Sequence, residues 1–220
     1  MIKRSLLSIG LAMVGTVAAA QQAAQYEVTI TNLTPGQTFT PQLLVTHPPD
    51  IRLFRLGEPA SDELEILAEG GDTQPLSEAV GGVATEVKTV DGLLGPGESV
   101  SMTITGIPGS DLLSMAAMLI PTNDTFVALN GLRLPENGGI GRSLSAFDAG
   151  TEVNDQSCQH IPGPRCGGEG FSDEAGEGFV HIGNGFHSIG DQDDDGFEVL
   201  GPQEYDWRNF VARITVRLVN

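Results

Sequence analysis

The feature that most constrains the fold of this chain is an alternation of apolar and polar residues with a period of two. It runs through Tyr26–Thr31, Val100–Thr105 and Ala212–Leu218. Successive side chains of a strand point to opposite faces of a sheet. Each of these segments therefore predicts a β-strand with one buried face and one solvated face.

Further apolar segments are separated by turns such as Thr34-Pro35-Gly36 and Gly95-Pro96-Gly97, and they predict more strands. These strands are predicted at Phe39–Thr46, Ile51–Leu56, Ala84–Val90, Leu112–Ile120 and Phe126–Leu134. Only Ser61–Ala68 and Gln74–Val80 are predicted to be helical, the first because acidic residues follow Ser61 as they do at helix N-termini. Many short strands with one or two short helices predict an all-β fold, an antiparallel β-sandwich.

Residues 136–203 differ in composition, with many glycines and acidic residues and few apolar runs. This composition predicts a region that is mostly loop. Long loops within a compact domain are functional or disordered. Aromatic residues in the second half of this region argue for at least partial order: Phe171, Phe179, Phe186 and Phe197.

The N-terminus has the pattern of an export signal. Lys3 and Arg4 precede the apolar run Leu6–Val17, and Ala18–Ala20 stands just before Gln21. This order is typical of a Sec-type signal peptide, which predicts a leader at residues 1–20, a β-sandwich domain at residues 21–220 and a secreted or periplasmic location. No later stretch reaches the roughly 20 apolar residues of a membrane span.

The formal net charge of the chain is −18, and it becomes −20 once Lys3 and Arg4 leave with the leader. Nucleic acid is excluded as a partner because phosphate backbones are bound by clustered lysines and arginines, and Lys88 is the one lysine that remains. An acidic surface of this kind keeps a protein soluble and attracts cations.

The two cysteines of the chain, Cys158 and Cys166, lie eight positions apart in a loop-like segment. Exported proteins meet oxidising conditions, so we expect a disulfide between them. Two thiols without neighbouring cysteines or paired histidines do not make a zinc site. The bond is therefore expected to hold its loop in shape.

An acidic segment near the C-terminus resembles part of an EF-hand calcium loop. Asp191, Asp193, Asp195 and Gly196 occupy positions 1, 3, 5 and 6 of such a loop, but Pro202 stands at position 12 in place of the bidentate glutamate. A second calcium site and a solvated acidic turn both remain open for this segment.

The histidines are the best candidates for catalytic residues in this sequence. His181 and His187 lie six residues apart near Asp191, and His160 lies near the cysteines. Imidazoles can hold a transition metal, so a secreted metal-dependent hydrolase using His181 and His187 is an alternative function. The spacing matches no zinc motif, which favours structural histidines that hydrogen-bond to loop carbonyls. With no Gly-x-Ser-x-Gly motif present, the chain is predicted not to be an enzyme.

Four segments carry a resemblance to a known family. They are Tyr26–Gln37, Ala117–Asp124, Asp148–Glu152 and Tyr205–Thr215. In this order the segments resemble the spondin N-terminal domain, especially its stand-alone bacterial versions. The animal relatives, such as F-spondin, are extracellular-matrix modules. The resemblance implies a β-sandwich similar to a C2 domain, with a bound calcium ion.

The resemblance also implies which residues bind calcium. The family's carboxylate ligands correspond to Asp124, Asp148 and Glu152, the last standing where the family has aspartate. Calcium takes 6–8 oxygen ligands, and carboxylates on loops supply them. Without the resemblance, solvated turn acids would explain these residues. The function implied is an exported calcium-binding module for adhesion or for binding an unknown extracellular or cell-surface ligand.

Overall fold

The computed structural model describes residues 22–172 and 175–219, in which two antiparallel sheets pack face to face. The leader predicted at residues 1–20 lies outside the described residues. In chain order the elements are β1 (Ala24–Asn32), β2 (Thr38–Phe39), β3 (Gln42–His47), α1 (Asp62–Gly70), α2 (Gln74–Gly81), β4 (Glu86–Val90), β5 (Ser99–Gly106), β6 (Leu112–Ile120), β7 (Thr125–Arg133), β8 (Gly139–Leu144), β9 (Ala146–Asp148), β10 (His181–Ile182), α3 (Pro202–Tyr205) and β11 (Ala212–Leu218).

The smaller sheet contains the three strands whose alternation is clearest in the sequence. Its strand order is β5-β1-β11-β8, and the register places Val28 opposite Val216 and Ile30 opposite Ile214. All four of these side chains are at most 1% exposed. Because every second residue turns inward, the period-two pattern becomes one face of the sandwich core, and the prediction of an antiparallel β-sandwich is confirmed.

The larger sheet has the order β10-β9-β7-β6-β3-β4, and β2 pairs with β6 as well. Its central strand β6 is buried along its whole length. Met115, Ala117 and Leu119 pack in the sandwich interior, whereas Ala116 packs beneath the helices on the opposite face. A strand covered on both faces needs apolar residues at successive positions, which is why Leu112–Ile120 shows no alternation.

Helices α1 and α2 cover the outer face of the larger sheet. Leu64, Leu67 and Leu76 pack in the same cluster as Val45 and Phe126 of the sheet. The Ser61 hydroxyl caps α1 by accepting a hydrogen bond from the Leu64 N–H at 3.3 Å. Both predicted helices are confirmed, although α1 continues two residues past its predicted end. In the part of the chain that is described, no helix is long and apolar enough to cross a membrane.

Two of the predicted strands are wrong in detail. Ile51–Leu56 is not a strand, because its apolar residues Leu53 and Phe54 sit in the cluster beneath the helices while their backbone bonds to the Asn130 side chain. Phe39–Thr46 is divided into β2 and β3 around Pro41, which has no N–H for the ladder.

The region predicted to be mostly loop also contains three further strands, β8, β9 and the two-residue β10. Gly139 and Gly141 interrupt the alternation of β8, so the sequence pattern is hidden there. The rest of the region folds around a third apolar cluster formed by Ile161, Phe186, Leu200 and Tyr205. The predicted Cys158–Cys166 disulfide is confirmed, with the two Cα atoms 4.6 Å apart.

Replacing a core residue of β11 tests the inward and outward assignment of that strand. Ile214→Ala should lower the free energy of unfolding by about 2–5 kcal/mol, because Ile214 is fully buried between the sheets. Its neighbour Arg213 is exposed, so Arg213→Ala should change the free energy by no more than about 0.5 kcal/mol. Chemical denaturation of both variants measures the difference. Similar losses of unfolding free energy at the two positions would contradict the assignment of Ile214 to the buried face and of Arg213 to the solvated face.

Candidate metal centre

Strand pairing places the three predicted carboxylates near one another at one end of β7 and β9, although their ligand atoms do not all lie within 4.8 Å of one another. Asp124 directly precedes β7 and Asp148 ends β9, and these strands pair so that Thr125 lies opposite Asp148. The Glu152 N–H donates a hydrogen bond to Asp124 Oδ2 at 3.2 Å. All three acidic residues are at most 1% exposed. Asp124 and Asp148 are 24 positions apart in the sequence, and the antiparallel pairing of β7 with β9 brings them close in space.

A tight turn after Asp148 directs the following residues back toward Asp124. Asp148 Oδ1 accepts a hydrogen bond from the Gly150 N–H at 2.9 Å, and Asp124 Oδ2 accepts one from the Thr151 N–H at 2.8 Å. Gly150 has a φ of 70°, and a Cβ there would lie 2.3 Å from the carbonyl oxygen of Phe179. Only glycine fits this position, because it alone adopts the conformation and leaves room for the neighbouring backbone.

Helix α1 adds a fourth carboxylate that the sequence analysis missed. Glu69 lies in the last turn of α1 and is fully buried, and its charge raises the pKa of Glu152. Its Oε2 accepts a hydrogen bond from the Ser172 N–H at 3.4 Å. The one sequence signal was an acidic residue directly after the predicted helix Ser61–Ala68, in a region where basic residues are favoured.

Several oxygens of this group lack hydrogen-bond donors. Within the described ranges, no donor reaches Asp124 Oδ1, Glu69 Oε1 or either oxygen of Glu152 in hydrogen-bond geometry. The side chains of Ser172 and Thr151 are nevertheless close enough to lower the pKa of Glu152 and that of Glu69, respectively. Lysine and arginine nitrogens within 4.0 Å are also absent from these carboxylates, as far as the structure describes the chain. Buried charges are normally paired or bound to a metal.

The environment raises the pKa of all four carboxyl groups. Burial, Glu69 and Asp124 raise the pKa of Glu152 to about 8. Burial and the charge of Asp124 raise the pKa of Asp148 to about 7, and burial raises that of Glu69 to about 7. Burial likewise raises the pKa of Asp124. These four carboxyl groups therefore favour binding of protons or of a cation, and their oxygen atoms are suitable ligands for a hard divalent ion.

His181 lies on the outer side of Asp148. Its Nε2 is 3.2 Å from Asp148 Oδ1 and 3.5 Å from Glu177 Oε2, and the ligand atoms of the three residues lie within 4.8 Å of one another. His181 Nδ1 is 2.9 Å from the carbonyl oxygen of Ile182. Burial alone would lower the pKa of His181, but this carbonyl and the two carboxylates outweigh it and raise the pKa. A protonated His181 thus acts as an internal cation beside Asp148.

The other two histidines have separate partners. His160 Nδ1 is 2.8 Å from Asp155 Oδ2, and the backbone of His187 exchanges hydrogen bonds with the side chain of Gln156 at 2.6 and 2.7 Å. Over the described residues, the group of three or more ligand atoms within 4.8 Å includes His181 but neither of these histidines. The alternative site of His181 and His187 is therefore not assembled in this conformation.

The acidic segment that resembles an EF-hand loop forms a self-capped turn. Asp193 Oδ1 accepts hydrogen bonds from the N–H groups of Asp195 and Phe197 at 3.0 and 2.9 Å. Asp191 Oδ2 instead accepts a hydrogen bond from the Cys158 N–H at 2.7 Å, and residues 191–197 are exposed. Backbone N–H groups therefore occupy one oxygen of Asp191 and one of Asp193, two of the carboxylates that a calcium loop would need.

The raised pKa values predict how stability depends on pH when a chelator removes divalent ions. The pKa values of Asp148 and Glu152 rise from 3.8 and 4.5 to about 7 and about 8. The stability that these groups contribute is complete below their unfolded pKa values and is lost as the pH rises through the folded ones. The Tm of the metal-free protein should therefore fall between about pH 5 and about pH 8.

Glu152→Gln separates this effect from the general repulsion of an acidic surface. The variant cannot ionise at this position, so its unfolding free energy relative to wild type should rise by roughly 1–3 kcal/mol over the same pH range. Asp194→Asn removes a charge from the exposed turn and should parallel wild type. If the stability of Glu152→Gln also changes with pH in parallel with wild type, the raised pKa assigned to Glu152 is contradicted.

Comparison with known proteins agrees with this architecture. A family model described as Spondin_N matches residues 23–158, a span that includes Glu69, Asp124, Asp148 and Glu152. No curated protein sequence matches the chain. Proteins with this domain are extracellular modules, and the disulfide is consistent with that location. Because the matched residues cover more than half of the sequence, the chain belongs to the spondin N-terminal domain family.

Proposed function

We propose that this protein is an exported, non-catalytic module that binds calcium through Asp124, Asp148 and Glu152. The observation that carries the proposal is that Asp124 Oδ1 and both oxygens of Glu152 are buried without hydrogen-bond donors among the described residues. Asp148 beside them accepts hydrogen bonds from Gly150 and Asn154 and contacts His181. Calcium is the ion of choice for an all-oxygen set, whereas zinc and copper favour imidazole and thiolate. The ion would add positive charge beside Asp124 and Glu152, which no lysine or arginine of the described residues contacts.

Calcium at this position would hold the surface around the β6–β7 turn and the segment after β9. Asp124 belongs to the first, and Asp148 and Glu152 belong to the second. Phe179 and Ile182 stand beside them, 42% and 56% exposed. Exposed apolar side chains on ordered loops are suited to contact a partner. We therefore assign the module to adhesion or to binding of an extracellular or cell-surface ligand.

The non-catalytic assignment is supported by the separation of the histidines. His181 contacts Asp148 and Glu177, whereas His187 uses its backbone to bond Gln156. A metal hydrolase needs several protein ligands on one ion and an open position for water. The contacts of His181 and His187 do not provide that shared set.

Calcium titration of thermal stability tests the site. A ligand that binds only the folded state stabilises it by about 2.7 kcal/mol at a hundredfold excess over Kd, which for a protein of this size raises Tm by roughly 5–10 °C. Asp148→Asn keeps the size of the side chain but removes a ligand charge, so it should abolish most of this rise. Asp193→Asn, in the self-capped turn, should keep it.

Magnesium serves as the control for charge screening in the same three proteins. It demands octahedral geometry and gives up its water reluctantly, so its effect should be small and similar in all of them. Equal calcium responses in wild type and both variants would refute the site, as would magnesium that matches calcium throughout.

Binding to extracellular material tests the adhesive part of the proposal. Fluorescently labelled protein should bind the outer surface of cells of its own organism when calcium is present, and EGTA should release it. Asp148→Asn should reduce this binding and Asp193→Asn should not, as measured by flow cytometry. Binding that is absent, or that is the same in calcium and in EGTA, would argue against a calcium-organised adhesive surface.

A further inference from the structure

We infer that Glu69 is a further ligand of the ion, so that helix α1 supplies a carboxylate from beneath the site. This inference rests on the calcium site proposed above. Glu69 belongs to none of the segments that resemble the spondin family. It is fully buried, and no donor in residues 22–172 and 175–219 reaches its Oε1 in hydrogen-bond geometry, although the Thr151 side chain is close enough to lower the pKa of Glu69.

Three features make the position of Glu69 unfavourable for a negative charge. It lies in the last turn of α1, which contains no basic residue and where the helix dipole is negative. Its side chain is fully removed from water. It also interacts electrostatically with the carboxylates of Asp124 and Glu152. A cation bound among these carboxylates would offset the unfavourable effects of the helix dipole, of burial and of the neighbouring negative charges.

A purely structural role explains Glu69 poorly. The buried face of α1 is otherwise apolar, with Leu64, Leu67 and Ala68 packed against the larger sheet. The Ser172 N–H reaches one Glu69 oxygen at 3.4 Å, which is long for a hydrogen bond. An apolar residue would pack at this position without burying an unpartnered oxygen. A cation would give the second oxygen of Glu69 a partner of opposite charge.

The inference adds a mechanical consequence to the proposed function. With Glu69 as a ligand, one ion joins three separate parts of the chain: helix α1, the β6–β7 turn before Asp124, and the segment after β9 with Glu152. The helix would then be held to the edge of the sheet by its apolar face and by the ion together. Calcium should therefore slow local opening of α1 as well as of the two loops.

Matched substitutions on α1 test whether Glu69 binds the ion. Glu69→Gln should weaken calcium binding by about tenfold or more in isothermal titration calorimetry, because loss of groups in a metal site costs affinity on this scale. Glu65→Gln removes the same charge one turn earlier, from a half-buried position, and should change Kd by less than about twofold. Equal effects of the two substitutions would overturn the inference.

The Tm in EGTA distinguishes a ligand from a structural side chain. Without calcium, Glu69→Gln should melt above wild type, because it removes one of several neighbouring buried charges. With calcium, the variant should gain less than wild type does. A Tm below wild type in EGTA, with an unchanged calcium increment, would show that Glu69 acts only in packing.

Hydrogen exchange on the wild-type protein supports or refutes the inference even if a variant fails to fold. Calcium should slow amide exchange in residues 64–70 in addition to residues 122–125 and 149–154. Protection of the two loops alone would overturn the role of Glu69 and leave the proposed function intact. Absence of any calcium binding by wild type would instead refute the proposed function, and this inference with it.

Discussion

Burial of several carboxylates against one another is the constraint on which the rest of this structure depends. Glu69, Asp124, Asp148 and Glu152 are each at most 1% exposed. Each ionised carboxylate buried without a partner costs several kcal/mol, and His181 is the one histidine, lysine or arginine in contact with the group in the described part of the chain. In the metal-free state, burial of these carboxylates away from water therefore lowers the stability of the fold. A divalent ion bound among them would offset this loss.

The apolar core makes such an arrangement possible. Strand β6 is buried on both faces, by the smaller sheet on one side and by α1 and α2 on the other. Its neighbour β7 is thereby fixed, and β9 pairs with β7 at the edge where the charges lie. The apolar packing on both faces of β6 stabilises the fold enough to tolerate the repulsion between the buried carboxylates. Proteins commonly tolerate such local destabilisation at binding sites.

The strands with one solvated face were predictable, because burial of one face leaves alternation in the sequence. That holds for β1, β5 and β11. The failures also have physical reasons. Ile51–Leu56 is apolar because Leu53 and Phe54 pack beneath the helices, and packing demands apolar residues from a loop as much as from a strand. In β8 the glycines removed the alternation.

The sequence by itself determined the class of the fold and the cysteine pair, since these depend on local periodicity and on composition. Its resemblance to the spondin family, carried by motifs that are contiguous in the chain, implied three of the carboxylates as calcium ligands. Only the tertiary structure decided that Glu69 joins those carboxylates and that His181 contacts Asp148, while His187 binds Gln156 through its backbone. The reason is that burial and electrostatic interaction depend on distances in space. Positions 69, 124 and 152 are far apart in the chain, and they meet only because packing of α1 and pairing of β7 with β9 bring them there.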